Sequence, residues 1–436
     1  MSTQVHLSRP VDHTTSYYAA TAHPTVLRPT LEGHITADVC VIGAGFTGLS
    51  SAIHLAQLGY KVVVLEGNRI GWGASGRNGG QIVNGYSRDL SVIEARYGIE
   101  AAQSLGAMSL EGGDIIRSLV KDYKIQCDLK PNNVVAAFNE RQLKELEHVK
   151  TNWEQHGHTE LEMLDKAQLQ DHVNTDCYVG ALLDKRGGHI HPLNLCLGEA
   201  EAIESLGGQI FENSRVTEVL WKNRAQPLVK TTQGEVLANY VVVCGNAYLG
   251  DAVPELTNKI MPVSTQVLTT EVLGEAKCKA LMPAGTCVED ANFFLDYYRM
   301  TADHRLLYGG GTVYGGAEPA DIVKKIRPHL EKVFPTLKDV KIEFAWSGNF
   351  ALTLTRIPHF GRLNNTVYFA QGYSGHGVTC THLAGKLIAD ALHGDATRFD
   401  SFATLPYYPF PGGRLFRVPL TVMGSWWYIL RDRLGV

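Results

Sequence analysis

A glycine-rich turn between an apolar strand and an apolar helix restricts the fold more than any other feature of this chain. The turn, Gly43-Ala-Gly45-Phe-Thr-Gly48, follows the strand-like run Asp38–Gly43 and opens the helical pattern Phe46–Leu58. In such a turn the glycines permit a sharp bend, close approach of a pyrophosphate and tight packing of helix on strand. A second strand-like run, Lys61–Glu66, ends in an acidic residue. The pattern predicts a β-α-β unit that binds a dinucleotide, with Glu66 on the adenosine ribose and the phosphates at the helix N-terminus.

Two further glycine-rich segments bear on which dinucleotide is bound, because the first turn alone does not separate FAD from NAD. The segment Arg69–Gln81, with the sequence RIGWGASGRNGGQ, is too rich in glycine for a helix or a strand and predicts a loop at the carboxyl ends of the strands. The segment Gln371–Thr379 opens the last predicted helix, so its N–H groups would point at a ligand. Together the segments favour FAD, with the second one at the flavin ring.

The other predicted elements alternate between strands and helices and return to the first sheet. A chain of 436 residues is long enough for two domains. The predicted fold class is α/β, with an FAD-binding Rossmann-like domain of the glutathione-reductase type and an inserted α+β substrate domain on a mixed, largely antiparallel sheet. The predicted division is an N-terminal arm at 1–36, the FAD-binding domain at 37–90, 180–255 and 345–410, the substrate domain at 91–179 and 256–344, and a tail at 411–436. Predicted elements of the later chain include a long helical region Ser91–Lys124, a helix Glu140–Gln155, a hairpin around Asp303, and helices Ala317–Phe334 and Val378–Leu392.

Charge and cysteine content argue for a small-molecule partner. The net charge of -4 and the pI near 6.5 give no basic field for nucleic acid. The eight cysteines are dispersed, without a CxxC pair, so neither a disulfide framework nor a zinc site is expected. His189 and His191 form a close pair that lacks a third ligand nearby, so no metal is predicted. The sequence leaves the oligomeric state open.

The two ends of the chain favour a cytoplasmic protein. Residues 1–36 are polar and have no apolar core of a secretory signal. The apolar stretch Val418–Leu430 is shorter than the roughly 20 residues that cross a bilayer. We interpret it as a tail docked on the protein; contact with a membrane surface through Trp426, Trp427 and Tyr428 is the less favoured interpretation.

The three glycine segments resemble those of the D-amino-acid-oxidase-type FAD oxidoreductases, the group that includes glycine and sarcosine oxidases. More narrowly, Ser16-Tyr-Tyr-Ala19, the RIGWGASGRNGGQ string and Arg356-Ile-Pro-His-Phe-Gly-Arg362 resemble gamma-glutamylputrescine oxidoreductases. The resemblance implies that FAD is lined by Gly43, Gly45, Gly48, Glu66, Ser75, Asn78, Gly79, Gly80, Val216, Gly245, Gly348, Gly375, His376, Gly377 and Thr379. Neighbours in the same segments complete the expected set: Ala44, Phe46, Thr47, Gly67, Arg69, Gly73, Ala74, Arg77, Gln81, Gly372 and Val378. No residue matches the cysteine or histidine that carries a covalent flavin in some members, so non-covalent FAD is expected.

The expected reaction is oxidation of a primary amine, gamma-glutamylputrescine or a related polyamine derivative. A hydride would pass from the amine carbon to flavin N5, and water would convert the imine to an aldehyde and ammonia. Oxygen, giving H2O2, or another acceptor would reoxidise the flavin. Aromatic walls would favour the neutral amine. The candidate site residues are Tyr297, Tyr298, Trp346, Tyr373, His376 near the flavin edge, and Arg356 as a partner for a substrate carboxylate.

Two alternatives stay open at the level of sequence. One is an amino-acid, glycine or sarcosine oxidase or dehydrogenase on the same fold, which would need an arginine fixed to bind an α-carboxylate. The other is a flavin-binding scaffold without catalysis. Bleaching of the flavin absorbance by an amine would separate the enzyme from the scaffold.

Overall fold

The computed structural model describes residues 12–434, and within this range the chain forms seventeen strands and fourteen α-helices. The strands are β1 (Gly33–Ile42), β2 (Val62–Leu65), β3 (Gln81–Ile82), β4 (Lys130–Ala137), β5 (Leu161–Asp165), β6 (Gly180–His189), β7 (Gln209–Phe211), β8 (Val216–Leu220), β9 (Leu228–Thr231), β10 (Gly234–Val243), β11 (Met261–Thr270), β12 (Cys287–Asp290), β13 (Tyr297–Met300), β14 (Leu306–Tyr314), β15 (Ile342–Leu352), β16 (His359–Arg362) and β17 (Val367–Gln371).

The helices are α1 (Tyr17–Thr21), α2 (Phe46–Gln57), α3 (Leu90–Tyr97), α4 (Ile99–Met108), α5 (Glu111–Asp122), α6 (Glu140–Gln155), α7 (Lys166–Leu169), α8 (Pro192–Ser205), α9 (Pro254–Thr257), α10 (Glu275–Leu281), α11 (Ile322–Val333), α12 (Gly377–Leu392), α13 (Thr397–Ala403) and α14 (Gly413–Leu434). Short 3-10 turns lie at Ala74–Gly76, Asn246–Tyr248 and Pro335–Leu337.

The first sheet is built around parallel strands that are buried on both faces. Its strand order is β16-β17-β10-β1-β2-β7, with β9 on β10 and β8 on β9. The pairs β17/β10, β10/β1, β1/β2 and β2/β7 are parallel. Alternate residues of β1 enter different cores: Val39 and Val41 pack in the core that contains α2, whereas Cys40 and Ile42 pack on the opposite face. Burial on both faces explains the continuous apolar runs seen in the sequence.

The second sheet is mixed and largely antiparallel, as predicted. Its order is β15-β11-β14-β13-β12-β4-β6-β3, with β5 on β6, and of these pairs only β12/β4 is parallel. Helix α11 packs with Tyr298, Leu306 and Tyr308 on one face. Tyr297 belongs to the opposite face, which is turned toward the first domain. The two sheets therefore have the predicted organisation, an α/β domain around a parallel sheet and a second domain on a mixed, largely antiparallel sheet.

Several predicted boundaries are wrong, for local reasons. Strand β1 begins at Gly33, inside the predicted arm, because Gly33–Ile35 pair with Gly234–Val236. The helical region predicted from Ser91 is three helices: Gly98, with a φ of 90°, separates α3 from α4, and Ser109 and Leu110 separate α4 from α5. The helix predicted from Ala317 begins at Ile322, where Asp321 caps the N–H of Lys324.

Sheet membership also corrects the domain ranges. Strands β3 and β6 and most of β15 pair in the second sheet, although they lie in the ranges 37–90, 180–255 and 345–410 that were assigned to the first domain. That assignment is wrong for these three strands, because only the pairing partners of a strand show which sheet it joins. The other domain limits stay a prediction.

The predicted tail forms helix α14, which contains Val418–Leu430. Val418 packs against the small core of Met261, Val263 and Phe410, whereas Trp426 is exposed. The side chains of Trp427 and Tyr428 lie outside the described residues. Among residues 12–434, every helix is too short or too polar to cross a membrane.

Candidate active site

A cavity of about 390 Å³ lies between the two sheets. On one side it is lined at the carboxyl ends of the parallel strands, by Gly43 after β1, Glu66 after β2 and Gly245 after β10. On the other side it is lined by strands β11 to β15 of the second sheet. Ligands of open α/β sheets bind at this edge, so the cavity has the position that the sequence predicted.

The first glycine turn is built so tightly that side chains are excluded. Gly43 has a φ of +101°, and a Cβ there would lie 3.2 Å from the carbonyl oxygen of Cys244. A Cβ at Gly48 would lie 1.9 Å from the carbonyl oxygen of Gly43. The third glycine therefore lets α2 pack directly on the turn, as predicted, and the N-terminus of α2 opens on the cavity.

Glu66 ties the end of β2 to the same turn. Its Oε2 accepts a hydrogen bond from the N–H of Ala44, and its Oε1 accepts one from the N–H of Asn68, both at 2.9 Å. Burial raises the pKa of Glu66, and the two backbone N–H groups oppose this shift. Each oxygen keeps a second lone pair for a ribose hydroxyl, so the residue fits its predicted role.

The glycine-rich loop after β2 is fixed by hydrogen bonds to both sides of the cavity. Ser75 Oγ accepts from the N–H of Phe46 at 3.0 Å, and Asn78 Oδ1 accepts from the N–H of Gly80 at 2.8 Å. Arg299, on β13, donates from Nε to the carbonyl oxygen of Gly79 at 2.8 Å. The loop that the sequence predicted to wrap a ligand is thus held in place by the α2 turn and by the second sheet.

The second glycine turn leaves a helix N-terminus open toward the cavity. Helix α12 has His376 as its N-cap, and the side chain of His376 does not cap the first N–H groups. A Cβ at Gly375 would meet nothing within 4 Å, and one at Gly377 would meet only the Cβ of Tyr373, at 3.8 Å. An anionic or electron-rich ligand edge fits this position, because the unpaired N–H groups and the helix dipole favour negative charge.

His376 lies at the same turn as a neutral imidazole. Burial lowers its pKa to about 4, so the ring carries no charge at neutral pH. The ring lines the cavity, and its nitrogens make no hydrogen bond to any of residues 12–434. A cofactor in the cavity could supply the missing partner. His376, which was predicted to lie near the flavin edge, therefore presents a neutral donor or acceptor to the cavity.

Most of the predicted cofactor residues line the cavity. They are Gly43, Gly45, Phe46, Thr47, Glu66, Gly67, Gly73, Ala74, Ser75, Arg77, Asn78, Gly79, Gln81, Val216, Gly245, Gly348, Gly375, His376, Gly377 and Val378. Six others lie behind this lining: Ala44, Gly48, Arg69, Gly80, Gly372 and Thr379. Arg69, for example, donates to Glu212 Oε1 at 3.1 Å. The six support the lining residues and do not form its surface.

Some of the residues predicted for the substrate wall line the cavity and others do not. Tyr373, Tyr297 and Arg356 line the cavity. Tyr298 does not, because strand alternation turns it to the α11 face, where its hydroxyl donates to Tyr178. Trp346 is buried behind the glycine loop and donates from Nε1 to the carbonyl oxygen of Arg77 at 2.9 Å. The predictions for Tyr298 and Trp346 are therefore wrong.

Sequence reasoning missed most of the wall contributed by the second sheet. The missed lining residues on this side include Glu289, Phe293, Phe294, Tyr314 and Phe350, and Tyr248, after β10 of the first sheet, was missed as well. Trp72 and Arg215 were also passed over, although Trp72 stands inside the RIGWGASGRNGGQ string. The signal available for the second sheet was strand alternation from Tyr297, since Glu289 pairs with Tyr297 across the ladder.

The histidine pair at the end of β6 is engaged with protein groups. The Nε2 atom of His189 lies 3.0 Å from the carbonyl oxygen of Gly285. His191 caps helix α8 by accepting from the N–H of Asn194. Within residues 12–434 no group of three or more His, Cys, Asp or Glu side chains could hold a metal ion.

Comparison with known proteins agrees with this geometry. The family model described as FAD dependent oxidoreductase, DAO, matches residues 38–391. The chain is 58% identical to a gamma-glutamylputrescine oxidoreductase of Escherichia coli (strain K12) over 98% of this chain and 100% of that protein. It is 41% identical to a "Probable oxidoreductase OrdL" of Haemophilus influenzae, over 97% of this chain and 98% of that protein.

Solved structures share the fold at low sequence identity. Glycine oxidase from Geobacillus kaustophilus superposes with a TM-score of 0.72 at 20% identity, covering 86% of this chain and all of that one. L-proline dehydrogenase from P. horikoshii superposes with a TM-score of 0.69 at 20% identity, with the same coverage. The family match spans both sheets and all three glycine segments of the cavity. The chain belongs to the DAO family of FAD-dependent oxidoreductases.

Proposed function

We propose that this enzyme oxidises the carbon–nitrogen bond of a primary amine, with gamma-glutamylputrescine or a closely related polyamine derivative as its substrate. The main support is one structural observation: the two glycine turns and an aromatic, carboxylate-bearing face of the second sheet line the same cavity. The 58% identity to the Escherichia coli protein over its whole length supports the choice of amine. A scaffold that binds FAD without catalysis would not need a walled space beside the cofactor turns.

FAD held by the second glycine turn would supply a two-electron acceptor. The substrate amine loses a hydride (two electrons and a proton) from carbon and a proton from nitrogen, and it becomes an imine. Water then gives an aldehyde and ammonia, and O2 becomes H2O2 when oxygen is the acceptor. The balanced reaction is RCH2NH2 + H2O + O2 to RCHO + NH3 + H2O2.

The protein's own residues exclude water and hold the amine. Tyr297, Phe293 and Phe350 present rings to the cavity, and these rings keep water away from the reacting carbon. The loop Arg69–Gln81 and the turn before α12 hold the cofactor by backbone N–H groups. FAD is proposed to be bound without a covalent link.

Arg356 is proposed to bind the carboxylate of the glutamyl group. It lines the cavity, its guanidinium carbon lies 5.8 Å from the ring centroid of Phe293, and its backbone φ is 65°. A non-glycine residue in this left-handed conformation is strained, and such strain is found most often at functional sites. A guanidinium can bind a carboxylate through two parallel hydrogen bonds.

Anaerobic reduction of the flavin tests the proposal. The purified protein is mixed without oxygen with putrescine, gamma-glutamylputrescine, spermidine, sarcosine, glycine and D-alanine, and the absorbance near 450 nm is followed. We expect the fastest bleaching with gamma-glutamylputrescine, and return of the colour with H2O2 when air is admitted. Faster bleaching by glycine, sarcosine or D-alanine would replace the proposal by the amino-acid oxidase alternative, and no bleaching by any compound would support a scaffold.

A further inference from the structure

Glu289 stands on the cavity face of the second sheet. It lies on β12, between β4 and β13 in the sheet order. Its neighbour Val288 packs in the core beneath α11, and successive side chains of a strand point to opposite faces. Glu289 lines the cavity together with Tyr297, its partner across the β12/β13 ladder.

Glu289 differs from the other carboxylate of the cavity. Among the lining residues the acids are Glu66 and Glu289, and Glu66 binds the backbone of the first glycine turn. Glu289 has a neutral neighbour, the side chain of Asn133, as its hydrogen-bond partner. Within residues 12–434, no Lys, Arg or His pairs with it. The carboxylate therefore faces the cavity without a cation of the protein.

A carboxylate in a partly buried wall without a cation is unfavourable, and a cationic ligand would relieve this cost. Burial raises the pKa of Glu289 to about 7, with the charge of Asp184 on β6 adding to the shift and the hydrogen bond from Asn133 opposing it. A primary alkylamine is positively charged at neutral pH, with a pKa near that of lysine, about 10.4. The substrate proposed above therefore brings the charge that this part of the wall lacks.

We propose that Glu289 binds the terminal ammonium group of the substrate and thereby selects amines over uncharged molecules of the same shape. This inference rests on the proposed function, since it names the residue that recognises the amine. Tyr297 shows where Glu289 would bind the ammonium group. A Cβ at Gly79 would lie 2.5 Å from the Tyr297 ring, so the ring packs against the glycine loop, and Glu289 is the partner of Tyr297 on the neighbouring strand. The ammonium group is thus received next to the loop that holds the cofactor.

A matched pair of ligands tests the role of Glu289. Gamma-glutamylputrescine and gamma-glutamylbutylamine differ only in the terminal amino group, and the second cannot be oxidised there. The Kd of the first is measured from the concentration dependence of anaerobic flavin reduction, and the Ki of the second from competition. In Glu289→Gln we expect the Kd to rise at least about 30-fold, the range for losing one partner of a buried charged pair, and the Ki to stay within twofold.

Two further variants separate charge recognition from a structural effect. Glu162→Gln makes the same change at an exposed glutamate of β5 in the same sheet, and it should change neither constant. Glu289→Asp keeps the charge on a shorter side chain and should give a Kd between those of the wild type and Glu289→Gln. Equal rises in Kd and Ki, or no rise in Kd, would overturn the proposal.

A direct binding measurement distinguishes failure of this inference from failure of the proposed function. If no amine of the panel reduces the wild-type flavin, the proposed function fails, and n-butylammonium chloride is titrated into the FAD-loaded protein while the visible spectrum is followed. Saturable binding that Glu289→Gln weakens would still support the ammonium site. No binding to the wild type would overturn it.

Discussion

The hydroxyl groups of Tyr373 and Thr47 lie 2.7 Å apart, although 326 positions separate the two residues in the chain. Thr47 stands in the first turn of α2, inside the first glycine motif, and Tyr373 stands in the glycine segment before α12. Both side chains are buried. This hydrogen bond joins the two glycine turns, so the segments predicted to hold opposite ends of one cofactor meet in the folded protein.

Removing the Tyr373 hydroxyl should weaken the link between the two glycine turns. In Tyr373→Phe the free energy of unfolding should fall by about 1 kcal/mol, the usual net contribution of one buried hydrogen bond. Urea unfolding of the FAD-loaded protein measures the change. Tyr408→Phe removes a hydroxyl from a residue that is 50% exposed and should have no effect. An unchanged midpoint in Tyr373→Phe would mean that the contact contributes nothing.

A methyl group at Gly377 should block the cofactor while sparing the fold. The site has free space for a Cβ in the protein alone, and alanine favours helices over glycine by up to about 1 kcal/mol. The apoprotein of Gly377→Ala should therefore melt no lower than that of the wild type, whereas its Kd for FAD should rise at least tenfold. FAD titration followed by flavin fluorescence measures the Kd.

The matched control for this change is Gly424→Ala. It places the same methyl group in α14, where a Cβ meets nothing within 4 Å. Its affinity for FAD should be that of the wild type. An unchanged Kd in Gly377→Ala would remove the turn before α12 from the cofactor site.

The sequence was most informative where an element is determined by contacts between residues that are close together in the chain. The first glycine motif works through contacts within one turn, such as Gly48 against the carbonyl of Gly43, so its residue types alone predict strand, turn and helix. Helix α6 was predicted with its observed limits because Asn139 caps it and its apolar positions repeat with helical spacing. The FAD side of the cavity consists mostly of such segments.

The substrate side depends on pairings between distant strands, and the sequence does not fix these. Tyr297 and Tyr298 are adjacent and chemically alike, yet one lines the cavity and the other lies under α11. A shift of one residue in the strand exchanges the two faces. Glu289 was missed for the same reason, since an acid in a short strand reads as a surface residue until its sheet is known.

The FAD should leave the protein on denaturation. Cys380, the cysteine that follows the second turn, does not line the cavity; its Sγ donates to the carbonyl oxygen of Gly85, and burial raises the pKa of its thiol to about 12. Precipitation with trichloroacetic acid should release all of the yellow colour into the supernatant. Cys380→Ser should retain the same amount of FAD as the wild type. Colour that stays in the pellet would indicate a covalent link, and His376 would then be the first residue to replace.

Arg356→Ala should raise the KM for a substrate that carries a carboxylate more than the KM for one that lacks it. If the guanidinium binds the glutamyl carboxylate, the KM for gamma-glutamylputrescine should rise at least tenfold, and the KM for putrescine should change less than threefold. Steady-state oxygen consumption with both amines measures the two values. Arg224→Ala, at an arginine in the turn between β8 and β9, serves as the control. Equal changes for both amines would remove the carboxylate-binding role.

Glu289 should also influence stability in the absence of substrate, with a sign that follows from its raised pKa. The folded-state pKa is about 7 and the ordinary value is 4.5, so the folded protein holds this proton over a range in which the unfolded chain has lost it. The contribution of Glu289 to the free energy of unfolding is therefore fully present below about pH 4.5, and it is lost as the pH rises through 7. The glutamine of Glu289→Gln cannot ionise, so at pH 8.5 this variant should have a melting temperature on the order of 2 °C above that of the wild type. At pH 5 the two proteins should have the same melting temperature. Thermal melts of the substrate-free, FAD-loaded proteins at the two pH values measure this difference. If Glu289→Gln melts at a lower temperature than the wild type at both pH values, the carboxylate stabilises the fold without a cationic ligand. That result would contradict the argument that the ionised side chain is unfavourable in the empty site.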